Sequence, residues 1–551
     1  MLCWIGYNAD DIAVFLRGKE AHRRSRWTPV LKFVVRCSRQ IISPGQRRLG
    51  NEPLRACVFL FGWSDRSVGS SIDAVRGMRD VLPSEVTVYR STAAAIERVL
   101  GAYGYEPIDL PIIEQRDLYL RKLGEELVGK VYEFTFNGRD LALRPEWTAS
   151  VLRAYVARMQ DQPLPLRLRY AGPVFRNERP QRATYRQFTQ IGVELIGGAA
   201  PRADAECLAL ACEGLVAAGV TRFTVRIGHI GLIRSLLASL GLSERTQGRL
   251  VWRLERLREH GVAAVRAELD AQPATFSVDP ALLDGIDDQR AEALLLHALR
   301  EIGVNLRFGT RPPEAIVGRL VRKLRRSESP DQIDRALELL DRLCRIEGGP
   351  DEALAYAGSL LRDYPVTGLE ELHAILRLAT AHGVAPECMK LDFGLGRGLH
   401  YYTGMIFEIY SDDGLQLCGG GRYDDLVSAL GGRQPTPAVG FAYGLERVVA
   451  VASPAAPLPC PPVVMVVATD DGSYPYALEV ARLLRARGYT AMTDVRMRGL
   501  SSNLRDADRR GVRFVAVVGA DERAQRCISW RDLERREETL IALTDIPPIE
   551  R

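Results

Sequence analysis

The segment YAGPVFRNERPQRATYRQFTQIGVELIG (residues 170–197) carries the clearest structural pattern in the chain. Apolar residues alternate along Leu166–Phe175 and again along Tyr185–Ile196, a spacing that predicts two strands. The loop between them, residues 176–182, holds three arginines and one carboxylate. A basic hairpin loop is commonly a solvated tip, but guanidinium groups also bind oxyanions through a rigid fork of donors. The segment therefore predicts a hairpin that either stands in solvent or binds phosphate.

The composition indicates a multidomain globular protein. A length of 551 residues exceeds what one hydrophobic core supports and predicts about two to four domains. No apolar run is long enough to cross a bilayer, so we predict no membrane association. The net charge of +5 is uneven, because residues 1–70 hold twelve Lys and Arg against five Asp and Glu, which leaves the rest near −2. A nearly neutral body predicts that any nucleic-acid contact is local.

The cysteine pattern bears on compartment and metal content. The ten cysteines are scattered, without a CxxC pair or a His/Cys cluster at zinc spacing. Idle or buried thiols are typical of a reducing compartment. We therefore predict a cytoplasmic protein without structural metal.

Residues 1–72 differ from the rest of the chain. They contain three of the six tryptophans and show no sustained helical or strand period. They also lack the basic segment, apolar core and small-residue cleavage site of a secretory signal. We predict an N-terminal extension that is disordered or that precedes the true start codon.

After residue 72 the pattern becomes regular. Helical spacing over Ser84–Gly101 follows a helix-start signal, and Asn137-Gly138 is a strong hairpin turn signal. That hairpin leads into Glu146 and Thr148, at the junction with a predicted helix. A carboxylate and a hydroxyl at such a junction either cap the helix or bind an ammonium group.

Beyond residue 200 the chain is mostly helical up to residue 385, and then returns to strands. LDFGLGRGLHYYTGMIFEIY (residues 391–410) predicts a glycine-rich loop followed by a strand. No helix opens after these glycines, so they do not form a dinucleotide fingerprint, but they let the backbone approach a ligand closely. PAVGFAYGLER (residues 437–447) predicts a strand and then a helix that carries another arginine.

The last ninety or so residues predict a separate small α/β domain. A proline-rich break at residues 453–462 precedes a buried-type strand at Val463–Ala468 and a helix at Tyr474–Arg487. Two further strands alternate with one further helix up to residue 519. Such alternation is typical of parallel strands joined by crossover helices.

The order of the arginine hairpin, the RGL-x-YY loop and the PAVGFAYGLER segment resembles the histidyl-tRNA synthetases, a family of class II aminoacyl-tRNA synthetases. The resemblance extends over residues 73–551. It implies an α+β fold, with an antiparallel sheet flanked by helices, a helical insertion and a C-terminal α/β domain like an anticodon-binding domain. The implied domains are residues 73–200 (catalytic core, first part), 201–385 (mostly helical insertion), 386–453 (catalytic core, second part) and 462–551 (anticodon-binding-like domain), after the extension at 1–72.

The resemblance also implies a reaction and its partners. L-Histidine is activated by ATP to histidyl-adenylate, and the histidyl group then passes to the 3′ end of tRNA(His). ATP is expected to enter as its Mg²⁺ complex, without a metal site in the protein itself. A cytoplasmic homodimer is implied, with the loop at Gly77 and the first helix at its interface.

The same resemblance assigns roles to individual residues. Arg397 and Arg176 are the expected catalytic residues, where Arg397 neutralises charge that develops on the phosphorus. ATP binding is assigned to four residues: Arg176, Glu178, Phe188 and Arg447. Histidine binding is assigned to eight residues: Glu146, Trp147, Thr148, Gln190, Glu194, Arg397, Tyr401 and Tyr402. Glu194 and Tyr402 are expected at the imidazole nitrogens, one of which donates while the other accepts.

Some positions depart from the family pattern. His400 replaces an aspartate in the RGL-x-YY loop, and Thr184 stands where many members have an arginine. Trp147 occupies a position that is often small, and Ser501-Ser502 a position that is often basic. Loss of an arginine at position 184 predicts a weaker phosphate contact, and loss of basic residues in the terminal domain predicts a weaker anticodon contact.

One alternative function remains open from the sequence. The stretches FTQIGVELIG (residues 188–197) and GHIGLIR (residues 228–234) also look like the synthetase-like regulatory subunit of ATP phosphoribosyltransferase, which does not charge tRNA. Arg176, Arg397 and Arg447 favour the ligase. So does the terminal domain, which such subunits generally lack.

Overall fold

The computed structural model describes residues 72–120, 129–179, 181–271, 286–301, 312–325, 329–396, 401–453 and 462–549. Two sequence predictions lie outside these residues. They are the character of the N-terminal extension up to residue 71 and the positions of Arg397 and His400.

The secondary-structure elements are numbered in chain order. The strands are β1 (Glu106–Pro107), β2 (Ile113–Gln115), β3 (Glu133–Phe136), β4 (Arg139–Leu143), β5 (Leu166–Phe175), β6 (Gln187–Ile196), β7 (Phe223–His229), β8 (Glu347–Gly348), β9 (Met389–Asp392), β10 (Met405–Ser411), β11 (Gln416–Arg422), β12 (Ala438–Gly444), β13 (Val463–Ala468), β14 (Thr490–Thr493), β15 (Phe514–Val518), β16 (Cys527–Asp532) and β17 (Glu537–Ala542). The α-helices are α1 (Pro83–Ala102), α2 (Arg116–Leu120), α3 (Thr148–Arg158), α4 (Arg202–Ala217), α5 (Ile230–Ser239), α6 (Glu244–Val251), α7 (Leu254–Ala271), α8 (Asp288–Glu301), α9 (Pro313–Arg325), α10 (Pro330–Cys344), α11 (Pro350–Leu361), α12 (Leu369–Ala381), α13 (Leu426–Ala429), α14 (Leu445–Val451), α15 (Tyr474–Ala486), α16 (Leu500–Arg509) and α17 (Ala520–Gln525).

The main sheet has nine strands in the order β1-β5-β6-β12-β11-β10-β7-β9-β8. Neighbours are antiparallel except for the β1–β5 and β7–β9 pairs. The predicted hairpin forms β5 and β6, with Leu166 opposite Ile196 and Phe175 opposite Gln187. Helices α1, α4 and α14 pack on this sheet. The predicted α+β class, with an antiparallel sheet flanked by helices, is confirmed.

The second half of β6 is buried at every position from Gln190 to Ile196. The strand lies between β5 and β12, with helices packed against it, so its branched aliphatic side chains leave water almost completely. Burial of each such side chain contributes roughly 1.5–3 kcal/mol. This packing also carries Glu194, a carboxylate in the middle of the run, into the core.

A three-stranded sheet, β2-β4-β3, precedes α3. Asn137 and Gly138 join β3 to β4 with positive φ values of 50° and 72°. Two successive positive φ values are the requirement of a type I′ hairpin turn, which Asn-Gly meets at low cost. The predicted turn is confirmed, and it delivers the chain to the start of α3.

The segment from residue 201 to 385 contains a strand that the sequence prediction missed. Strand β7 lies between β10 and β9 inside the main sheet, with Met405 opposite His229 and Ser411 opposite Phe223. The helices after it, α5 to α12, agree with the helical prediction. The main sheet therefore takes two strands, β7 and the two-residue β8, from within this largely helical segment.

The terminal sheet has the order β14-β13-β15-β16-β17. Its first three strands are parallel, and β16 and β17 extend it in antiparallel fashion. Strand β13 has the predicted bounds, and helices α15 and α16 pack on the sheet. The predicted α/β domain is confirmed, although β16 and β17 were not predicted. Within the described part of the chain, every helix is too short or too polar to cross a bilayer.

Candidate active site

Two adjoining cavities open where β5, β6, β11 and β12 lie side by side. The arginine cavity has an open volume of about 590 Å³ and contains Arg176 and Arg447. The tyrosine cavity has an open volume of about 410 Å³ and contains four tyrosines: Tyr170, Tyr401, Tyr402 and Tyr423. Four residues line both cavities: Arg176, Gln190, Gly419 and Ala442. These volumes include space open to solvent, and the shared walls would bring a ligand in one cavity into contact with a ligand in the other.

Arg176 stands at the boundary between the two cavities. It follows the last residue of β5, and its Nε donates to the carbonyl oxygen of Pro145 at 2.8 Å. Its guanidinium carbon lies 5.3 Å from the centre of the Phe188 ring. The backbone contact and the aromatic face hold a positive charge at the point where the two ligands would meet.

Two buried acceptors face the tyrosine cavity without a partner among the described residues. The Oε1 atom of Glu146 accepts from the backbone N–H of Ala149 at 2.9 Å, so this carboxylate does cap α3. Its Oε2 atom and the Oε1 atom of Gln190 are buried and accept no hydrogen bond there. Burial raises the pKa of the Glu146 carboxyl. Because unmade hydrogen bonds at buried acceptors cost free energy, the pair predicts a ligand with N–H donors and positive charge.

Glu194 lies behind the tyrosine cavity with no exposed surface. Its Oε1 atom accepts from Thr148 Oγ1 at 2.7 Å and from the hydroxyl of Tyr170 at 3.0 Å. Its Oε2 atom accepts from the hydroxyl of Tyr423. Burial raises the pKa of the Glu194 carboxyl well above its usual range, although the Thr148 bond opposes the shift. In this arrangement Glu194 orients three hydroxyl groups.

Trp147 is also behind the cavity wall. Its ring stacks on Tyr170 with centroids 4.8 Å apart and planes 10° apart. The guanidinium carbon of Arg144 lies 3.6 Å from the centroid of the Trp147 ring. A Cβ on Gly172 would come within 2.9 Å of both side chains, so only glycine fits beside this stack. Trp147 therefore fixes the position of Tyr170.

Arg447 faces Thr184 across the arginine cavity. Its Nη2 atom donates to Thr184 Oγ1 at 3.2 Å, and its Nη1 atom donates to the backbone oxygen of Gln416 at 3.3 Å. On the same side, Glu178 lies 3.4 Å from Lys130 Nζ. Thr184, noted as a departure from the family pattern, is thus a hydrogen-bond partner of the second arginine of the cavity.

The structure brings together most of the residues predicted from the sequence. The arginine cavity is lined by Arg176, Glu178, Phe188 and Arg447, and the tyrosine cavity by Glu146, Thr148, Gln190, Tyr401 and Tyr402. Trp147 and Glu194 support the wall from behind instead of lining it. Arg397 lies outside the described residues, so its role stays a prediction.

Sequence reasoning missed Tyr170 and Tyr423. Tyr170 is the first residue of the quoted hairpin segment, and Tyr423 follows the glycine run at the end of β11. Alternation along β5 places Tyr170 on the same side as Leu168, which is a core pattern, and no local signal marks its hydroxyl. The role of both hydroxyls is apparent only from the hydrogen bonds that they donate to Glu194.

Within the described residues, no group of three or more His, Cys, Asp and Glu side chains is placed to hold a metal ion. The polar side chains of the site are instead suited to binding organic ions. One cavity offers acceptors for an ammonium group, and the adjoining cavity offers arginines for phosphates. On an antiparallel sheet of this kind, the combination defines an amino-acid-activating enzyme of the class II aminoacyl-tRNA synthetases.

Comparison with known proteins identifies the family within that class. The chain belongs to the histidyl-tRNA synthetase family, whose model matches residues 77–304 and 316–448. Residues 463–549 match the anticodon binding domain. This confirms the family that the sequence motifs indicated.

Two curated relatives and one solved structure illustrate the similarity. The histidine–tRNA ligase of Archaeoglobus fulgidus is 33% identical over 476 residues, which cover 86% of this chain and 97% of the relative. That of Methanocaldococcus jannaschii is 31% identical over 475 residues, again with 86% and 97% coverage. The histidyl-tRNA synthetase from Nostoc sp. PCC 7120 shares the fold, with a TM-score of 0.58 at 23% identity over 86% of this chain and 97% of that one.

Proposed function

We propose that this protein is a histidine–tRNA ligase, which activates L-histidine with ATP and transfers it to tRNA(His). The observation that carries the proposal is the pair of buried acceptors, Glu146 Oε2 and Gln190 Oε1, which have no partner among the described residues and lie in a cavity that shares Arg176 with an arginine-lined cavity. An amino acid and a nucleotide placed in these cavities would meet at Arg176.

Histidine would occupy the tyrosine cavity. Its ammonium group would donate to Glu146 and Gln190, which supplies the two missing hydrogen bonds. Its imidazole would lie among the tyrosine hydroxyls, with Tyr402 as a direct partner and Glu194 setting hydroxyl orientation from behind. A ring that must both donate and accept selects against side chains that can do only one, because buried polar groups would stay unpaired.

ATP would occupy the arginine cavity as its Mg²⁺ complex. Arg176 would hold the α-phosphate and Arg447 the γ-phosphate, while Glu178 and Phe188 would frame the adenine. The guanidinium groups match phosphate oxygens in geometry and charge. They are held by protein contacts before ATP arrives, which favours electrostatic stabilisation of the transition state.

The two reaction steps balance as follows. A carboxylate oxygen of histidine attacks the α-phosphorus, the bond to the β-phosphate oxygen breaks, and pyrophosphate leaves. A ribose hydroxyl at the tRNA 3′ end then attacks the carbonyl carbon of the adenylate, AMP leaves, and the hydroxyl proton is released. Arg176 stabilises the negative charge that grows at phosphorus, and Arg397 is proposed to assist it from the RGL-x-YY loop.

Residues 462–551 are proposed as the domain that contacts the tRNA anticodon, which the match to the anticodon binding domain supports. The active form is proposed to be a cytoplasmic homodimer. The regulatory-subunit alternative is not favoured, because the two curated relatives described above, which cover 86% of this chain, are histidine–tRNA ligases and the terminal domain is present.

The direct test is histidine-dependent exchange of labelled pyrophosphate into ATP by the purified protein, followed by charging of tRNA(His) transcript. We expect both activities, with exchange independent of tRNA. Exchange with another amino acid in place of histidine would contradict the assigned substrate. Absence of exchange, together with activation of a phosphoribosyltransferase, would instead establish the regulatory alternative.

A further inference from the structure

Arg447 is held in the arginine cavity by contacts from both sides of its guanidinium group. Besides Thr184, its partner is Gln416, the first residue of β11, which offers its backbone oxygen at 3.3 Å and its side-chain Oε1 at 3.4 Å. Both Thr184 and Gln416 line the same cavity as Arg447. The arginine therefore has a defined orientation before any nucleotide binds.

The side-chain amide of Gln416 is itself held in one orientation. Its Nε2 atom donates to Glu408 Oε1 at 2.6 Å, and the other oxygen of Glu408 accepts from the hydroxyl of Tyr410. A carboxylate only accepts, so the amide nitrogen must face Glu408. The amide oxygen is then left to face Arg447, which only donates. Glu408 lies on β10 and is 8% exposed, so this anchor belongs to the sheet and is little affected by solvent.

We propose that Gln416 is a positioning residue for Arg447, and that it aims the guanidinium at the terminal phosphates of ATP through the anchor on Glu408. The inference rests on the proposed function of the cavity. An arginine side chain loses considerable rotational entropy when it binds a phosphate, and a partner that fixes it in advance reduces this cost. Gln416 does not touch the reacting atoms in this arrangement.

The test uses the pyrophosphate exchange assay on the full chain with the Gln416→Met variant, which keeps the side-chain volume and removes both polar contacts. We expect the KM for ATP to rise about tenfold, as for loss of a hydrogen bond to a charged group. The KM for histidine should stay unchanged, and the melting temperature should fall by only a few degrees, because Glu408 loses one donor. Gln162→Met, at an exposed turn outside both cavities, is the matched control and should leave both KM values unchanged.

A double variant separates positioning from a general structural effect. In an Arg447→Met background, Gln416→Met should change the KM for ATP by less than about twofold, because its target is gone. Equal effects with and without Arg447, or equal rises in both KM values, would overturn the inference. If Gln416→Met does not fold, Gln416→Asn serves instead, since its shorter amide cannot reach Glu408 and Arg447 together. If the wild-type protein does not exchange pyrophosphate, the proposed function is wrong. If only the variants behave differently from expectation, the role of Gln416 is wrong.

Discussion

The tyrosine cavity and the terminal sheet both bury carboxylates, and they surround them with different partners. Around the tyrosine cavity, Glu146 and Glu194 accept hydrogen bonds from a backbone amide and from hydroxyls, and burial raises the pKa of both carboxyls. In the terminal domain, the guanidinium of Arg513 lies 2.8 Å from Asp532 and lowers the pKa of that carboxyl. A buried carboxylate without a cation is costly to the fold. At the tyrosine cavity, the ammonium group of the proposed ligand would bring a cation to Glu146.

Asp494 is a second buried carboxylate of the terminal domain whose charged form is stabilised by hydrogen-bond donors of the protein. It is buried, which raises its pKa, but it accepts from Asn503 Nδ2 at 2.9 Å and from Arg498 Nε at 3.1 Å. These hydrogen bonds, with others from the backbone, outweigh burial and hold the pKa of Asp494 below its usual value. The terminal domain thus uses charge for stability, whereas the cavity keeps its charge available for binding.

The largest expected effect tests whether the carboxylates of the tyrosine cavity serve ligand binding. Glu146→Gln keeps the shape of the side chain and its bond to Ala149 but removes the negative charge. We expect the KM for histidine in pyrophosphate exchange to rise roughly 100-fold, as for loss of one partner of a buried charged pair. The melting temperature should not fall, because burial disfavours the charge that has been removed.

Glu352→Gln, at an exposed position of α11, is the control for Glu146→Gln and should change neither quantity. If Glu146→Gln lowers the melting temperature and raises the KM for ATP as much as that for histidine, Glu146 is a structural cap only.

The second prediction tests whether the carboxylates of the terminal domain stabilise its fold. Asp494→Asn removes the charge that holds Arg498 and Asn503, and we expect the terminal domain to lose about 2 kcal/mol of stability, since hydrogen bonds to charged groups contribute about this much. Calorimetry should show the loss in the transition of the terminal domain. Pyrophosphate exchange, which needs no anticodon contact, should remain at the wild-type rate. A drop in exchange would contradict the idea that the carboxylates of the terminal domain stabilise the fold without serving the reaction.

The third prediction concerns pH. The raised pKa of Glu194 means that the folded catalytic region binds a proton more tightly than the unfolded chain. Its stability should therefore increase as pH falls from neutral towards the unfolded pKa of a glutamate, by at most about 1.4 kcal/mol per pH unit for one group. The lowered pKa of Asp532 has the opposite sign, so its contribution is present above the unfolded aspartate pKa and is lost as pH falls through the folded value.

Hydrogen exchange measured region by region between pH 7 and pH 4 would separate the two trends. Protection of β6 should increase as pH falls, and protection of β16 should stay level until the most acidic samples. Glu194→Gln should weaken the trend in β6 without abolishing it, because the pKa of Glu146 is raised as well. A common slope in both regions would show that the two sets of carboxylates do not differ in the way proposed.

The smallest expected effect concerns Trp147, which supports the cavity without lining it. Trp147→Phe removes the indole N–H that donates to the oxygen of Gly172 at 3.4 Å, at a cost of about 1 kcal/mol in stability. Stacking on Tyr170 should survive, so we expect the KM for histidine to change less than about threefold. A change as large as that of Glu146→Gln would mean that Trp147 contacts the ligand directly.

Much of the fold could be predicted because its signals are local. The Asn137-Gly138 turn and the bounds of β13 follow from residue types within a few positions. Strand β7 was missed because Phe223–His229 is followed at once by a helix, so only pairing with β10 shows that it belongs to the sheet. Strands β16 and β17 are a similar case, since pairing of β16 with β15 and of β17 with β16 decides them.

The residues of the candidate site also fall into two groups, those with a local sequence signal and those without one. Arginines in a hairpin loop and a Glu-x-Thr junction before a helix are recognisable in the chain, and the structure places Arg176, Glu146 and Thr148 on the cavity walls. Tyr423 was missed because its partner, Glu194, is 229 residues away along the chain. Glu194 was predicted to contact the imidazole, and the structure shows its oxygens occupied by three hydroxyls of the protein. Direct contact with histidine stays a prediction for that residue.

The amino-acid sequence by itself determined which charged and aromatic groups are available, which strands they lie on, and which family the chain belongs to. The tertiary structure decided which of these groups remain without a partner. Glu146 and Glu194 have the same side chain and are both buried, yet Glu146 keeps an open acceptor on the cavity while Glu194 does not. The physical reason is that hydrogen-bond satisfaction depends on neighbours brought together by β-strand pairing, over separations that no local pattern records.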